Sequence, residues 1–490
     1  MPDLDPEEFR RLGHRYIDWV ADHRAGLESR PVRDDVEPGS VRRRFPTEAA
    51  EEPQGLDALL ERVDEVVVPA DTRWQHPGFH AFFPANASLT SLLGEIVAGG
   101  LGPQGMLWST SPACTEVEQA LTDQLARALG LGEAFTHPGG GGGSIQDSAS
   151  SAALVALLAA LHRTSGGRWR ETGVTGDERV YVTAETHSSL AKAVRVAGLG
   201  ERGLRVVGFA PGTRTMDPHA LAAMLEADAS QGLVPAMVCA TVGTTGTGAV
   251  DPVREIATTA APYGAWVHVD AAWAGVAALC PEFRYLVDGV ELVDSFCTDA
   301  HKWLLTAFDA SLLWVRDAAA LPSALSLTPA YLRDSASDSG AVVDYRDWQV
   351  PLGRRFRAMK IWAVLHGQGL QGLRAHLRGH VALADELARR IRAHPMLQLA
   401  AEPSLSLLCL RVRTGGAQLE DQAADEAADD RATRSLLAEV NASGRVFLSH
   451  TQIDGRFVIR VAFGATTTTR RHLDELWTII TDPVPPTTLR

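Results

Sequence analysis

The sequence predicts an α/β fold in which helices cover both faces of a mostly parallel sheet. From about Ser111 onward, segments with helical spacing of apolar residues alternate with short runs rich in β-branched residues. Strands that alternate with helices in this way form crossover units, which place neighbouring strands in parallel. Apolar residues make up 45% of the chain and charged residues 22%, so a large core can be buried. The 490 residues exceed one ordinary domain, and we expect appended parts around the main fold.

Composition excludes several classes of function. Lys and Arg together number 46 and Asp and Glu together 60, which leaves a net charge of −14. Nucleic-acid binding depends on basic residues that displace counterions, so we expect no nucleic-acid partner. No apolar run reaches the ~18 residues that span a bilayer, and the acidic N-terminus lacks the apolar core of a signal peptide. These observations predict a cytoplasmic protein with no membrane partner.

The cysteines predict neither a disulfide framework nor a metal site. There are five of them, they are scattered along the chain, and none forms a CxxC pair. An odd and scattered set is typical of buried thiols in a reducing compartment.

The N-terminal part predicts a helical arm. Apolar side chains recur at helical spacing within residues 1–25, at Phe9, Leu12, Tyr16, Ile17 and Val20. An irregular stretch containing Pro and Arg follows to about residue 55, and a second helix is predicted over residues 56–67. Such an arm has little core of its own and needs a partner surface. We therefore predict three parts: an arm over residues 1–85, a large α/β domain over 86–370 and a small α+β domain over 371–490.

The remaining elements follow from the same patterns. Apolar spacing predicts helices over residues 115–131, 148–162, 188–197, 252–263, 356–370 and 373–393. Runs rich in β-branched residues predict strands over residues 180–183, 204–209, 236–242, 265–269, 292–297 and 311–315. Strands over 405–413 and 456–461 and a terminal helix over 470–480 complete the small domain. Residues 418–431 are an acidic, Ala-rich insertion, which predicts a solvated loop or surface helix.

Two motifs follow neighbouring predicted strands: HVDAAWAG at 268–275 and DAHKWL at 299–304. Ligands of open α/β sheets bind at the carboxyl ends of strands, so both motifs lie where a site is expected. Asp270 would place a carboxylate in a partly buried position, and Lys302 an amine whose pKa burial can lower. A lysine that forms a Schiff base and an Asp that pairs with a pyridine nitrogen are the groups that pyridoxal phosphate (PLP) requires. A structural Asp–Lys ion pair explains these two residues equally well.

Three further segments favour the cofactor. Five glycines at 139–143 precede SIQDSAS, which opens a predicted helix whose N-terminal amides suit a phosphate. His187, in ETHSSL, follows a predicted strand, where its ring can stack on an aromatic cofactor. The segment TVGTTGTGAVD, at 241–251, is a strand followed by a hydroxyl-rich loop that can hydrogen-bond a ring substituent. A flexible turn or a structural histidine would explain the first two segments separately.

Taken in order, these motifs resemble the group II PLP-dependent decarboxylases, and most closely the aromatic-L-amino-acid decarboxylases. The resemblance runs from about residue 5 to about residue 480, and its motifs are GGGSIQDSASSAALVALLAA, THSS, VGTTGTGAVD, HVDAAWAGVAALCPEFRYLVDGVELVDSF, DAHKWLL and DYRDWQVPLGRRFRAMKIW. HPGFHAFFPANAS and LWSTSPACTEVE fit the same family. The resemblance implies the aspartate aminotransferase-like fold type I, pyridoxal 5'-phosphate as cofactor, no metal, and a homodimer with shared active sites.

The resemblance also implies roles for single residues. Lys302 matches the lysine that holds the cofactor covalently, and Asp270 matches the carboxylate on its ring nitrogen. His187 matches the histidine that stacks on the ring and lies near the substrate. Tyr331 matches the tyrosine of a mobile catalytic loop that reaches the neighbouring subunit, and we expect it to return a proton to the substrate. The other implied cofactor contacts are Thr245 and His268 at the ring, and Ser148, Ala149, Ser150 and His301 at the phosphate.

Three residues depart from the family pattern. Asp299 stands where animal members usually carry Asn next to the phosphate. It is expected near the cofactor, but a carboxylate there would repel the phosphate. Its role therefore stays open. Asp147 stands where those members carry Gly, and Ala85 stands where many have a hydroxyl residue near the substrate.

The implied reaction is α-decarboxylation of an L-amino acid to its amine and CO2. The segments that would line the substrate pocket are mostly apolar and contain no Arg to bind a distal carboxylate; their candidate residues are Phe79, Phe82, Phe83, Ala85, Gln104, Met106 and Trp108. This set suits tryptophan, phenylalanine, tyrosine or dihydroxyphenylalanine, although several of the aromatics are equally consistent with core.

Three alternatives remain at this point. One is a decarboxylase of aspartate, glutamate or diaminobutyrate. Another is an aromatic aldehyde synthase, against which Tyr331 and His187 argue. The last is an inactive PLP-binding scaffold, against which the intact Lys302, Asp270 and Tyr331 argue.

Overall fold

The computed structural model describes residues 3–327, 341–414 and 422–482. The chain divides into two compact units. The large unit comprises residues 85–385 and 401–409, and the small unit comprises residues 1–84, 386–400 and 410–490. The division into three parts made from the sequence stays a prediction. Tyr331 lies outside the described residues.

The large unit is built on a seven-stranded sheet. Its strands are β1 (Gly142–Gln146), β2 (Glu178–Val182), β3 (Leu204–Val206), β4 (Val234–Thr241), β5 (Trp266–Asp270), β6 (Ser295–Asp299) and β7 (Ser311–Val315). Their spatial order is β1-β7-β6-β5-β4-β2-β3. The ladders from β3 to β6 are parallel, and β7 runs antiparallel to both of its neighbours. This order confirms the predicted mostly parallel sheet.

Helices begin and end at the residues that commonly cap them. Ser148 precedes one helix and its Oγ accepts a hydrogen bond from the Ser151 amide, while Gly166 ends that helix in the left-handed conformation. The helices described are α1 (Pro6–Ala25), α2 (Leu56–Arg62), α3 (Leu89–Leu101), α4 (Pro112–Leu129), α5 (Ala149–Ser165), α6 (Trp169–Thr172), α7 (Ser188–Val196), α8 (Pro218–Ser230), α9 (Val253–Ala260), α10 (Ala300–Trp303), α11 (Ala320–Leu325), α12 (Ala358–Ala393), α13 (Gln422–Ala442) and α14 (Arg470–Thr481). The sequence patterns missed α3 and α8, and also the short helices α6, α10 and α11.

The glycine run at 139–143 leads into the edge strand β1. Gly142 and Gly143 begin the edge strand β1, and α5 starts only at Ala149. A Cβ at Gly139 would lie 1.8 Å from the Glu133 carbonyl oxygen, and one at Gly141 would lie 2.1 Å from that of Ala134. At positions 139, 141, 142 and 143 neighbouring atoms lie within 3.0 Å of where a Cβ would be, whereas Gly140 has open space and a left-handed φ of +92°. SIQDSAS leads into α5, with Ser148 as the cap and Ala149 as the first helical residue. Phosphate binding at this helix end stays a prediction.

The N-terminal helices and a second sheet complete the chain. Pro6 occupies the first turn of α1, and Asp5 caps it by accepting a hydrogen bond from the Glu7 amide. Arg15 of α1 pairs with Asp57 of α2 at 2.6 Å. The second sheet has the strands β8 (Leu397–Ser404), β9 (Leu407–Val412), β10 (Ser449–Ile453) and β11 (Arg456–Ala462), in the order β10-β11-β9-β8. The sequence patterns missed β8 and β10.

The described part of the acidic insertion is helical. It belongs to α13, whose Glu426 and Asp430 lie 3.0 Å and 2.7 Å from the two terminal nitrogens of Arg411. The Arg411 side chain is almost fully buried, and a buried guanidinium needs carboxylate partners. These two acidic residues therefore help to hold α13 against β9.

One face of α3 carries exposed apolar side chains. They recur at intervals of three or four residues and comprise Leu89, Leu93, Ile96, Val97 and Leu101. We call this set the α3 stripe. Contiguous exposed apolar surface on a folded protein is typical of a contact with another molecule.

The five cysteines are free thiols in the interior. Across the described ranges, no helix combines the length and the apolar character needed to cross a bilayer. The same residues contain no group of three or more His, Cys, Asp or Glu arranged to hold a metal ion.

Candidate active site

Three neighbouring parallel strands of the large sheet end at one edge. β4 ends at Thr241, β5 at Asp270 and β6 at Asp299. The register pairs Asp270 with Thr241 on one side and with Cys297 on the other. Because carboxyl ends of parallel strands meet at the same edge, two carboxylates come to the place where such sheets bind their ligands.

Asp270 presents one oxygen to the protein. Its Oδ1 accepts a hydrogen bond from the Ala272 amide at 3.1 Å, and the Cys297 sulfur lies 3.9 Å from the same oxygen. No hydrogen bond joins Oδ2 to any residue in the described ranges. That oxygen is therefore available to a ligand, as a carboxylate that pairs with a ring nitrogen must be.

Lys302 forms an ion pair with Asp299. The Lys302 Nζ lies 2.8 Å from Asp299 Oδ2, and 25% of the lysine side chain is exposed against 3% of the aspartate. Burial by itself would lower the pKa of Lys302, but the adjacent Asp299 carboxylate outweighs it and raises that pKa. Burial would likewise raise the pKa of Asp299, yet the Lys302 ammonium holds it below its usual range. The ion pair that the sequence suggested between Asp270 and Lys302 is thus made by Asp299 instead.

Lys302 is one of only three lysines in the chain. Lys192 lies on the exposed surface of α7. Lys360 is buried, with its Nζ 2.5 Å from Glu95 Oε1. Of the three, Lys302 is the one whose side chain is partly buried at the strand-end site and a quarter exposed, which suits an amine nucleophile.

The turn that carries Lys302 is held by Asn86. The Asn86 amide donates a hydrogen bond to the His301 carbonyl oxygen at 2.7 Å, and its side-chain Nδ2 donates to the Lys302 carbonyl oxygen. Asn86 is almost fully buried. Sequence reasoning missed this residue, although it directly follows Ala85 in a motif that carried the resemblance.

His187 and Thr245 lie at the ends of two neighbouring strands. His187 caps α7, and its Nδ1 lies 2.8 Å from Ser189 Oγ. Its ring is exposed and stacks on no other aromatic ring in the described part of the chain. Thr245 is exposed in the loop after β4. Both side chains are therefore open to a ligand, as the prediction for each requires.

The loop that carries Thr245 is shaped by a close contact. A Cβ at Gly246 would lie 2.3 Å from Glu185 Oε2. Glu185 is itself held by Arg214, whose Nη2 lies 2.9 Å from Oε1. This ion pair packs against the loop at Gly246. No motif in the sequence indicated it.

The N-terminus of α5 can bind an anion. Ser148, Ala149 and Ser150 form its first turn, and the helix is 17 residues long. Unpaired amides and the helix dipole at such an end favour a phosphate. Ser148 Oγ donates a hydrogen bond to Asp147 Oδ1 at 2.9 Å, so one carboxylate lies beside this turn.

His301, the other predicted phosphate contact, points its ring at Asp299. Its Nδ1 accepts a hydrogen bond from the Ala310 amide at 3.0 Å, which leaves the proton of the neutral ring on Nε2. Nε2 lies 3.6 Å from Asp299 Oδ2. Burial lowers the pKa of His301 more than the facing carboxylate raises it, so the ring is neutral near pH 7.

His268 and Asp270 are two residues apart in β5 and therefore lie on the same face of the strand. It is fully buried, and burial lowers its pKa to about 4. Ser295 Oγ accepts a hydrogen bond from the Trp266 indole nitrogen at 2.7 Å and lies 2.8 Å from His268 Nδ1. The Ser295 hydroxyl proton therefore goes to Nδ1, and Nε2–H faces the Cys297 sulfur at 3.6 Å. The same sulfur lies 3.9 Å from Asp270 Oδ1, so Cys297 links the two side chains. Sequence reasoning missed Ser295 and Cys297.

These residues fit pyridoxal phosphate by the chemistry of their side chains. Lys302 provides an accessible amine, Asp270 a carboxylate with one unused oxygen, and His187 an exposed ring. The first turn of α5 provides an anion site. An aldehyde, a ring nitrogen, a flat aromatic face and a phosphate are the four matching parts of that cofactor.

The predicted substrate residues are distributed over both units. In the large unit, Gln104 Oε1 accepts a hydrogen bond from the Arg354 amide at 2.7 Å, and the Trp108 indole nitrogen donates to Glu116 Oε1 at 2.8 Å. Met106 is half-buried, and its carbonyl oxygen accepts a hydrogen bond from the Arg346 amide. Ala85 is the first residue of this unit. The polar groups of Gln104 and Trp108 are thus engaged by the protein.

The small unit holds the three phenylalanines. Phe79 and Phe83 are buried, which agrees with their being core. Phe82 is 50% exposed, has a φ of +52°, and lies 5.8 Å from the Trp74 ring between centroids. A left-handed backbone costs a non-glycine residue about 1 kcal/mol. The exposed position of Phe82 therefore carries a conformational free-energy cost.

Comparison with known proteins agrees with this geometry. Residues 38–413 match the model of the pyridoxal-dependent decarboxylase conserved domain. A phenylacetaldehyde synthase of Arabidopsis thaliana is 41% identical over 97% of this chain and 96% of its own length. Tyrosine decarboxylase 4 of Petroselinum crispum is 40% identical over 98% of this chain and 94% of its own length.

A solved structure covers the whole fold. The Oryza sativa TDC, solved with PLP and tryptamine, superposes with a TM-score of 0.94 and is 38% identical, over 99% of both chains. The match confirms the fold type I that the resemblance implies, and with it the cofactor. The chain is a member of the pyridoxal-dependent decarboxylase family, a carboxy-lyase that works with pyridoxal 5'-phosphate.

Proposed function

We propose that this enzyme decarboxylates an aromatic L-amino acid to its amine. The observation that carries the proposal is full-length similarity to enzymes of that class, which include tyrosine decarboxylases of Petroselinum crispum and tryptophan decarboxylase 2 of Oryza sativa at 39–40% identity. The predicted substrate segments offer no Arg to an acidic substrate.

The residues divide the work as follows. Lys302 supplies the amine that holds the cofactor, and Asp270 supplies a negative charge to keep a proton on the ring nitrogen. His187 covers one face of the ring, and the first turn of α5 holds the phosphate. The bound cofactor supplies the electron sink for the pair of electrons left when the carboxylate departs. Tyr331 returns a proton to the substrate Cα, and the amine is released.

The test is a product survey. Purified enzyme with pyridoxal 5'-phosphate is incubated separately with each of the twenty amino acids and with dihydroxyphenylalanine, and products are identified by mass alongside released CO2. We expect amines from one or more aromatic substrates, and none from aspartate or glutamate. Amine formed chiefly from an acidic or diamino acid would overturn the substrate class. Absence of CO2, together with an absorbance band near ~420 nm from lysine-bound cofactor, would indicate an inactive binding protein.

A second product is possible because two of the relatives, in Arabidopsis thaliana and Petunia hybrida, are phenylacetaldehyde synthases. In that reaction the amino acid, O2 and water yield the aldehyde, CO2, ammonia and hydrogen peroxide. The same incubations therefore include assays for ammonia and peroxide. We expect amine without stoichiometric peroxide, because Tyr331 and His187 are both present. Equal amounts of aldehyde, ammonia and peroxide would establish the synthase.

We also propose that the enzyme is a homodimer with shared active sites. The α3 stripe supports an apolar contact with a second copy, and α1 adds the exposed Phe9 and Ile17. Burial of such side chains between two copies is favourable because it removes apolar surface from water. The resemblance implies that Tyr331 reaches the neighbouring subunit's site.

We expect light scattering to give twice the chain mass of 52.5 kDa. The variant Leu93→Glu/Ile96→Glu places charges in the stripe and should weaken the dimer by about 100-fold or more, with parallel loss of activity. Val196→Glu is the matched control, since Val196 is 64% exposed and Leu93 60%. A wild-type enzyme that is monomeric and fully active at low concentration would contradict the proposal.

A further inference from the structure

The strongest unexplained feature of the site is Asp299, a buried carboxylate paired with the reactive lysine. We propose that Asp299 is a positioning residue that holds the Lys302 ammonium in the cofactor-free enzyme and thereby slows attachment of pyridoxal phosphate at neutral pH. The inference rests on the proposed role of Lys302 as the attachment lysine. It gives a function to a residue whose role the resemblance left open.

Asp299 is held in place by its surroundings, whereas the Lys302 side chain is less enclosed. Asp299 is the last residue of β6, and its amide donates a hydrogen bond to the Ala272 carbonyl oxygen at 2.9 Å. The Asp299 side chain is enclosed by protein, whereas a quarter of the Lys302 side chain is exposed. Lys302 has four methylene groups between Cα and Nζ. The aspartate thus defines one resting position for Nζ, from which the lysine can swing toward a ligand.

Of the two carboxylates at the site, Asp299 rather than Asp270 pairs with the Lys302 ammonium. The groups that act on Lys302 are the carboxylates of Asp299 and Asp270, the Cys297 thiol and the neutral His301 ring, which also faces Asp309. Asp299 is the one in contact, at 2.8 Å. Burial keeps the Cys297 thiol protonated by raising its pKa. The ammonium is therefore stabilised chiefly by Asp299, and Asp270 keeps its free oxygen for the ring nitrogen.

Attachment of the cofactor requires this pair to open. The ammonium first gives up a proton to the buffer. The neutral Nζ then forms a bond to the aldehyde carbon, and the aldehyde oxygen leaves as water once the remaining two nitrogen protons have moved to it. Because only the neutral amine reacts, a partner that raises the pKa of Lys302 reduces the reactive fraction about tenfold for each unit.

Repulsion between Asp299 and the cofactor phosphate would slow attachment too, but in a different way. It would act at every pH where both groups are ionised and would vanish for pyridoxal, which lacks the phosphate. Stabilisation of the ammonium instead shifts the pH at which attachment becomes fast, and it does so for both compounds. The pH profile therefore separates the two effects.

The experiment measures attachment to the apoenzyme, not turnover. Cofactor is removed, pyridoxal 5'-phosphate or pyridoxal is added, and the absorbance near ~420 nm is followed from pH 6 to 10. For Asp299→Asn we expect attachment at pH 7.5 to be about tenfold faster or more with both compounds, and the midpoint of the profile to move to lower pH by about one unit or more. Asp147→Asn is the matched control, because Asp147 lies beside the first turn of α5 and is not among the groups that shift the pKa of Lys302. The midpoint of its pH profile should not move.

A second variant at the same position tests whether a change at Asp299 simply disturbs folding. Asp299→Glu keeps the charge and should retain a midpoint close to that of the wild type. Unchanged midpoints in both Asp299 variants, or an acceleration confined to pyridoxal 5'-phosphate, would overturn the proposal. Borohydride reduction and peptide mapping accompany each reaction. Label on Lys192 or Lys360 would refute the assignment of Lys302 itself, which distinguishes that failure from failure of the Asp299 proposal.

Discussion

Replacement of Lys302 by alanine is expected to abolish covalent attachment of the cofactor and to lower kcat by about 10⁴-fold or more, the range seen when a covalent nucleophile is removed. Its side chain is partly exposed at the candidate site, and its turn is held by the two hydrogen bonds from Asn86. The measurement is the ~420 nm band together with the rate of CO2 release.

Lys192→Ala is the matched control, because Lys192 is exposed on α7 and contacts nothing in the candidate site. It should keep both the absorbance band and the activity. Borohydride reduction of the wild type should label the peptide that contains Lys302. A Lys302→Ala enzyme that keeps the band, with label on another lysine, would show that the assignment is wrong. The small number of lysines makes this mapping unambiguous.

Replacement of Tyr331 by phenylalanine is expected to lower the rate of amine formation by about 10²–10⁴-fold, the contribution of a positioned general acid. Phenylalanine keeps the ring and removes only the hydroxyl that would deliver a proton to the substrate Cα. Cofactor binding should be unchanged. In the presence of oxygen, part of the substrate should be diverted to aldehyde, ammonia and peroxide.

Tyr285→Phe makes the same chemical change at an exposed tyrosine and should leave all products unchanged. If Tyr331→Phe forms amine at the wild-type rate, the proton comes from another group, and His187 is the next candidate. The comparison is informative because the relatives include both decarboxylases and aldehyde synthases at about 40% identity.

Much of the large sheet was predictable, because buried parallel strands read as short apolar runs between helices. The run over 311–315 matches β7 residue for residue. β1 was missed because two of its five residues are glycine, which carries no strand preference. Helix α3 was missed because its apolar residues face outward as well as inward, which obscures the one-sided pattern of a surface helix.

The positions of Asp270 and Lys302 at strand ends were predictable, but their contacts were not. Two strands end in a carboxylate, and sequence spacing does not say which one an amine will reach. The pairing with Asp299 follows from the turn of α10, which brings residues 299 and 302 together. Asn86 and Ser295 escaped notice because their roles are hydrogen bonds to distant parts of the chain, at Lys302 and His268.

The glycine run has an evolutionary consequence. Every amino-acid replacement of glycine adds at least a Cβ, and at positions 139, 141, 142 and 143 that atom would lie within 3.0 Å of another group. Every missense change there therefore meets the same obstacle, whatever the new side chain. Selection is therefore expected to keep these positions as glycine for reasons of packing. Invariance along the run in a set of descendants would thus record backbone packing, and could easily be misread as ligand binding.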